Sequence, residues 1–259
     1  MILFNKYKIT EHLTTGNYGS VYKGENIRTK EKIAVKVEKK INQKTPLLKR
    51  EMQIYLCLGN LKGFTEVKWF GSDADNTYLI MGLLGDSLTT LKTKYGNCSA
   101  IVNKIGVQMI HRIETLHSKG LIHRDIKPSN FLLDLNNSSD HLHLIDFGFS
   151  KRYKLTNGQH IPFKRTSDII GTVNFISLNV HQRIEPSRRD DIESIIYILI
   201  YLLDEMDWES TDILKIIECK QNIGNVIPKF LKNMLEYVRS LNFDQDIDYL
   251  FLNRCLTCW

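Results

Sequence analysis

The apolar pattern changes period part-way along the chain, and that change limits the fold more than any other feature. Ile33, Val35 and Val37 alternate with Ala34, Lys36 and Glu38, the period of two that a strand imposes on its faces. From about Ser99 onward helical spacing takes over: Ser99 to His117, Asp191 to Leu203 and Lys229 to Leu241 each read as helices. No Pro/Gly/Ser-rich linker, repeat or low-complexity tract divides the chain. A strand-rich front joined directly to a helix-rich back predicts an α+β fold in two lobes. The small β-rich N-terminal lobe is expected over residues 1–83 and the larger helical one over 84–259, meeting near Met81-Gly82-Leu83-Leu84-Gly85.

Composition removes other classes. With 259 residues, 42% of them apolar and only 5 prolines, the chain supports an ordinary core and is neither disordered nor fibrous. The net charge of +6 is a mild bias that by itself establishes no nucleic-acid partner. Cys57, Cys98, Cys219, Cys255 and Cys258 are odd in number and scattered, which suits a reducing compartment, cytoplasm or nucleus. Cys255 and Cys258 form C-x-x-C, but no second pair or nearby His completes a zinc set, and they share a helical stripe with Leu252 and Trp259. Packing is the expected role. The longest apolar run, Ile192 to Leu203, falls short of the roughly 20 residues a bilayer requires, and Met1-Ile2-Leu3-Phe4-Asn5-Lys6 turns polar too soon to be expected as a signal peptide. A monomer without membrane attachment is expected.

Thr45-Pro46 reads as an N-cap with proline in the first turn, and Gly59 sits where the helix would stop. Between them Leu48, Met52 and Tyr55 make an apolar stripe, and Glu51 lies on it. A carboxylate on the buried side of a helix is costly unless paired. Lys36, on the strand face opposite Ile33-Val35-Val37, is its best partner; two unrelated surface charges are the other reading. Upstream, Thr15-Gly16-Asn17-Tyr18-Gly19-Ser20-Val21 is a hairpin turn whose glycines could let backbone N–H groups approach phosphates, or could simply turn the chain.

The central segment is more specific. His123-Arg124-Asp125-Ile126-Lys127-Pro128-Ser129-Asn130 is followed by the strand Leu142–Ile145 and then Asp146-Phe147-Gly148. Two acids and an amide in loops beside strands suit metal-assisted phosphoryl transfer. One acid would accept a hydroxyl proton, while the other acid and the amide would hold Mg²⁺ on the phosphates; a loop Asp capping a helix and an ordinary D-x-G turn is the other reading.

Together with Ala34-Val35-Lys36 and Glu51, these segments resemble the motif set of eukaryotic protein kinases, in order and at fitting intervals. Where most kinases carry Ala-Pro-Glu, this chain has Gly171-Thr172-Val173-Asn174-Phe175-Ile176-Ser177-Leu178-Asn179. With Leu83–Leu88, His160-Ile161-Pro162-Phe163, Glu185–Ser194 and Arg239–Asp244, it is similar to the casein kinase I family, from about Tyr7 to the last helix.

That resemblance implies a bilobal protein-kinase fold and a Ser/Thr protein kinase using ATP and Mg²⁺ on protein substrates. By it, Lys36 would hold the α- and β-phosphates, oriented by Glu51; Asp125 would be the base and Lys127 would steady the γ-phosphate. Asn130 and Asp146 would bind Mg²⁺. Gly16 and Gly19 would cover the phosphates, and Leu13, Val21, Ala34, Leu132 and Ile145 would enclose the nucleotide. Met81 would be the gatekeeper, Gly82 and Leu84 would offer hinge backbone groups, and Asp191 would brace the catalytic loop. Thr156, Thr166 and Ser167 lie where many kinases are switched on by phosphorylation, a step the family usually does without.

The departures matter too. Thr14 replaces the first loop glycine, Gly82 the usual hinge glutamate, and Asn174 an anion-binding arginine, while the basic stretch after Trp208 shortens to Glu209–Lys215. Lys151, Arg152, Lys154, Lys164 and Arg165 suit acidic substrates, or form a solvated basic face. A nucleotide-binding scaffold without turnover and a small-molecule kinase are the competing readings. The intact Lys36, Glu51, Asp125, Asn130 and Asp146 oppose the first, and Arg188-Arg189-Asp190-Asp191 opposes the second.

Overall fold

A computed structural model describes residues 1–16, 19–40, 47–204, 208 and 212–258. The predicted cap at Thr45-Pro46, the loop residues Asn17 and Tyr18, the segment 209–211 and Trp259 lie outside them.

The N-terminal part is one antiparallel sheet with a single helix against it. Strands β1 (Ile2–Leu3), β2 (Tyr7–Gly16), β3 (Gly19–Asn26) and β4 (Lys32–Lys39) precede helix α1 (Leu47–Leu58). Strands β5 (Val67–Ser72) and β6 (Asn76–Gly82) complete the sheet in the order β1-β2-β3-β4-β6-β5. Directly paired residues project to the same face. Val21 pairs with Lys36, Lys36 with Leu79, and Ala34 with Met81, so all five side chains share one face. Ile33, Val35 and Ile80 take the other, packed with Leu3, Tyr7 and Tyr78 in a separate small core. The period of two around Lys36 therefore sorts the sheet as expected.

Helix α1 ends before Gly59, whose φ of 58° supplies the left-handed turn. Its inner stripe is Leu48, Glu51, Tyr55 and Leu58, all buried.

Beyond Gly82 helices dominate. Helices α2 (Leu88–Tyr95) and α3 (Ser99–Ser118) are followed by short strands β7 (Leu121–Ile122), β8 (Phe131–Leu133), β9 (Leu142–Leu144) and β10 (Lys151–Arg152). These pair as β8-β9 and β10-β7 ribbons. Helices α4 (Leu178–His181), α5 (Arg188–Leu202), α6 (Ile213–Asn222), α7 (Lys229–Ser240) and α8 (Tyr249–Thr257) complete the chain. Every residue of α5 from Asp190 to Ile200 is buried, its acids Asp190, Asp191 and Glu193 each hydrogen-bonded as buried carboxylates must be. It packs against α3 and α7.

Helix α5 starts three residues earlier than the apolar pattern predicts. The Ser187 amide donates to Asp190 Oδ2 at 2.7 Å, a cap that extends the helix through Arg188 and Arg189. Asp191 consequently sits inside the first turn. Cys255 packs on the main core and all five cysteines are free thiols. No helix among the described residues is long and apolar enough to cross a membrane.

Candidate active site

Lys36 lies between two carboxylates. Its Nζ donates to Glu51 Oε2 at 2.7 Å and to Asp146 Oδ1 at 2.7 Å. Glu51 is only 2% exposed, so the ion pair is what makes its place on the inner stripe of α1 tolerable. Burial favours the neutral form of Lys36, yet the two neighbouring charges outweigh it and hold the ammonium above its ordinary value. Burial likewise opposes ionisation of Asp146, but the charge and hydrogen bond of Lys36 bring it below the usual carboxylate value. Both groups are therefore charged at neutral pH.

Asp146 has a φ of 68° and Arg124 one of 69°, left-handed geometry that non-glycine residues adopt at a cost. Packing holds both. Phe147 is fully buried, with its ring edge-on to Tyr55 at 4.9 Å and to His123 at 5.3 Å. Arg124 Nε donates to the Phe149 carbonyl at 2.7 Å.

The loop around Asp125 is braced from below by Asp191, which accepts from the His123 amide at 2.7 Å and the Arg124 amide at 2.9 Å. His117 Nε2 lies 3.0 Å from the same carboxylate, and His117 Nδ1 lies 2.6 Å from the Tyr249 hydroxyl. Burial opposes the charge on Asp191, but these partners hold it below the ordinary value. Above them both Asp125 oxygens are engaged: Thr172 Oγ1 donates to Oδ1 at 2.8 Å, and Lys127 Nζ to Oδ2 at 2.7 Å. Asn130 Nδ2 donates to the Asp125 carbonyl at 2.9 Å, while the Ile145 amide donates to the Asn130 carbonyl at 3.0 Å. Asn130 thus stands beside the strand that delivers Asp146.

Between sheet and loop lies a cleft. Val21, Ala34 and Met81 line its roof on the Lys36 face of the sheet. Leu132 stands on β8, and Ile145 directly precedes Asp146. Gly16 and Gly19 pair at the tip of the β2-β3 hairpin. At Gly19 a Cβ would come within 2.0 Å of the Val37 carbonyl oxygen, so glycine is required there. Leu13 falls where the β2-β3 register shifts, a bulge position, and is 46% exposed. Thr14 pairs regularly with Val21. In the connection to the helical part, the Gly82 amide donates to the Glu66 carbonyl, and its carbonyl accepts from Thr65 Oγ1. Among the described residues no backbone hydrogen bond engages Leu84.

A family model described as Protein kinase domain matches residues 7–254. The chain belongs to the protein kinase family. Its fold is the bilobal α+β kinase fold, with the curled sheet at the N-terminus and the helical part after it. The family reaction transfers phosphate to proteins.

The donors of this kinase fit Mg²⁺. Asn130 uses its Nδ2 on Asp125, which leaves its amide oxygen as the acceptor side, and Asp146 is ionised, so both offer hard oxygen ligands. Among the described residues no cluster of three or more His, Cys, Asp or Glu forms an all-protein cage. An ion here would draw its remaining ligands from phosphates and water, as Mg²⁺ commonly does. His143, on β9, belongs to no metal group among the described residues.

The kinase's activation segment modifies the picture of a basic face. Lys151 Nζ is 2.7 Å from Glu185, Lys164 Nζ 3.6 Å and Arg124 Nη1 3.9 Å. Glu185 is 3% exposed, so half-buried Lys151 turns toward a buried carboxylate, while Lys164 reaches it from an exposed position. Arg152, Lys154 and Arg165 remain exposed. Sequence reasoning did not assign roles to Thr172, His117 or Glu185. Thr172 is 47 residues from Asp125 along the chain, a separation at which no local pattern signals contact. His117 lies on the buried stripe of α3, a signal that a polar partner was waiting beneath it.

Proposed function

We propose that this chain is an ATP-dependent Ser/Thr protein kinase of casein kinase I type, acting on acidic protein substrates. The observation that carries the proposal is the double anchoring of Asp125, by Thr172 on one oxygen and Lys127 on the other. A carboxylate has about four lone-pair sites, so each oxygen still has room for a substrate hydroxyl. Asp125 is then the group that receives the hydroxyl proton, and Lys127 steadies the γ-phosphate. Lys36, held by Glu51, orients the α- and β-phosphates. Asn130 and Asp146 hold Mg²⁺, which when bound neutralises charge on the phosphates.

Val21, Ala34, Leu132 and Ile145 enclose the adenine beside Met81, with Leu13 at the mouth. Leu84 has its backbone groups free to read the adenine edge, and the remaining Gly82 carbonyl lone pair can assist. The Ser/Thr and casein kinase I assignments rest on the resemblance of Gly171–Asn179, Glu185–Ser194 and Arg239–Asp244. The acidic preference rests on exposed Arg152, Lys154 and Arg165.

The test is transfer of labelled phosphate from Mg-ATP to an acidic serine-rich protein and to a basic one, followed by phosphoamino-acid analysis. The proposal expects phosphoserine or phosphothreonine, with the acidic protein preferred. Label on tyrosine, on the basic protein alone, or on neither contradicts it.

A further inference from the structure

Lys220 is wholly buried, on helix α6. Its Nζ donates to the Val173 carbonyl at 3.0 Å and the Ile176 carbonyl at 2.8 Å, and lies 3.1 Å from His181 Nε2 on α4. Those three acceptors match the three protons of an ammonium. The rings of Tyr197 and Trp208 flank the nitrogen, at 4.5 Å and 6.0 Å from their centroids. Glu193 on α5 supplies favourable charge, and Arg239 on α7 opposes it. Arg239 also donates to Glu193, to the Tyr197 hydroxyl and to the Lys220 carbonyl, tying α6 and α7 to α5. Burial still draws the lysine down to about 7. It also holds His181 down to about 4, first by burial and then by the charge of Lys220.

A buried lysine is costly unless its contacts repay the lost hydration. The contacts here converge on one turn. Trp208 Nε1 donates to the Asn174 carbonyl at 3.1 Å, so the carbonyls of Val173, Asn174 and Ile176 are all held from beneath by side chains. The Phe175 and Ile176 amides close the same turn onto the Thr172 carbonyl. Thr172 in turn holds Asp125.

We infer that Lys220 is a positioning residue for the phosphate acceptor: from under the Val173–Ile176 turn it keeps Thr172 on Asp125 and fixes the surface against which the substrate hydroxyl is presented. This rests on the reading of the chain as a protein kinase. Among the described residues the polar contacts of Lys220 Nζ are to the Val173–Ile176 turn and His181, so its influence falls on the protein substrate and spares ATP.

The experiment compares wild type with Lys220→Met, which keeps the aliphatic stem and removes the donors. ATP affinity, KM for a serine peptide and kcat are measured separately. The expected result is an unchanged ATP KM, a raised peptide KM and a kcat reduced by up to about a hundredfold, the scale of a displaced reacting group. A merely destabilised protein would lose active fraction and kcat with both KM values unchanged, and that result overturns the inference. So does full peptide turnover in Lys220→Met. If the variant does not fold, Trp208→Phe decides: it keeps an aromatic ring, loses the donor to Asn174 and part of the buried indole, and must raise the peptide KM without moving the ATP KM. An unmoved peptide KM there overturns the inference. A wild-type chain that transfers no phosphate defeats the kinase reading itself, and the inference with it, which separates that failure from the others.

Discussion

Lys36 Nζ and Glu51 Oε2 stand 2.7 Å apart, joining the strand face that roofs the cleft to the buried stripe of α1. Lys36 reaches Asp146 at the same distance, so one ammonium links sheet, helix and the loop after β9. Glu51→Gln keeps the shape and removes the charge that balances Lys36. It should lower kcat/KM for ATP by up to about a hundredfold through misplacement of Lys36, while Asp146 still holds the lysine and the protein still folds. Steady-state kinetics with a thermal melt alongside would show it. Unaltered kinetics would mean the pair serves stability alone.

Asp191 offers a test on stability. Its carboxylate accepts two backbone amides from buried surroundings, and Asp191→Asn would place an amide N–H₂ where an acceptor is needed. A loss of about 3–5 kcal/mol is expected by chemical denaturation.

Its pH dependence has a definite sign. Because the folded value lies below the ordinary 3.8, this stabilisation is complete above that value and lost as pH falls through the folded one. His117, held below 6.5 by burial, adds an earlier loss, since the unfolded chain takes up a proton below 6.5 that the fold resists. Acid denaturation of wild type should therefore begin below about pH 6.5 and steepen further down. Asp191→Asn should flatten the lower part and, by removing the carboxylate that favours protonated His117, deepen the earlier loss. A midpoint insensitive to the substitution contradicts this.

Glu185 gives the activation segment a buried counter-charge of its own. Its single charge pairs with Lys151 at 2.7 Å and faces Lys164 and Arg124 at 3.6 and 3.9 Å, the kind of contact a phosphate makes when it orders such a segment. Replacing Thr156, Thr166 and Ser167 together with alanine should leave peptide turnover near wild type. Glu185→Gln should reduce it by about tenfold or more, as three cations lose a buried counter-charge. Loss of activity in the alanine variant would show that phosphorylation is needed.

Asn174 bears on substrate choice. Its carbonyl is taken by Trp208, and under the proposed casein kinase I reading its neutral side chain replaces a phosphate-holding arginine. A phosphoserine placed upstream of the target serine should therefore change kcat/KM by less than about threefold, below the scale of a charge-assisted contact. A gain of tenfold or more would show that another cation receives the phosphate.

The fold was legible where periodicity is strong. Helices α3 and α7 lie within a residue of their predicted ends, because their apolar stripes recur without interruption. The Lys36–Glu51 pair was legible only as a question, since two charges on two elements do not announce that the elements meet. Thr172 and Lys220 were hidden for a different reason. Their partners are backbone carbonyls and a carboxylate far along the chain, and Lys220 sits in sequence among Glu218, Gln221 and Asn222 like a surface lysine. Only the folding of α6 beneath the Val173–Ile176 turn reveals it. Lys151 and Lys164 show the converse: a basic cluster read as surface, of which part is turned onto a buried acid.

The most direct test of the central claim is single-turnover phosphate transfer by Asp125→Asn, with ATP affinity measured on the same protein. The account predicts unchanged nucleotide binding and transfer slowed by about 10²–10⁴, the worth of a positioned general base. Transfer at the wild-type rate would remove Asp125 from the chemistry and contradict the account.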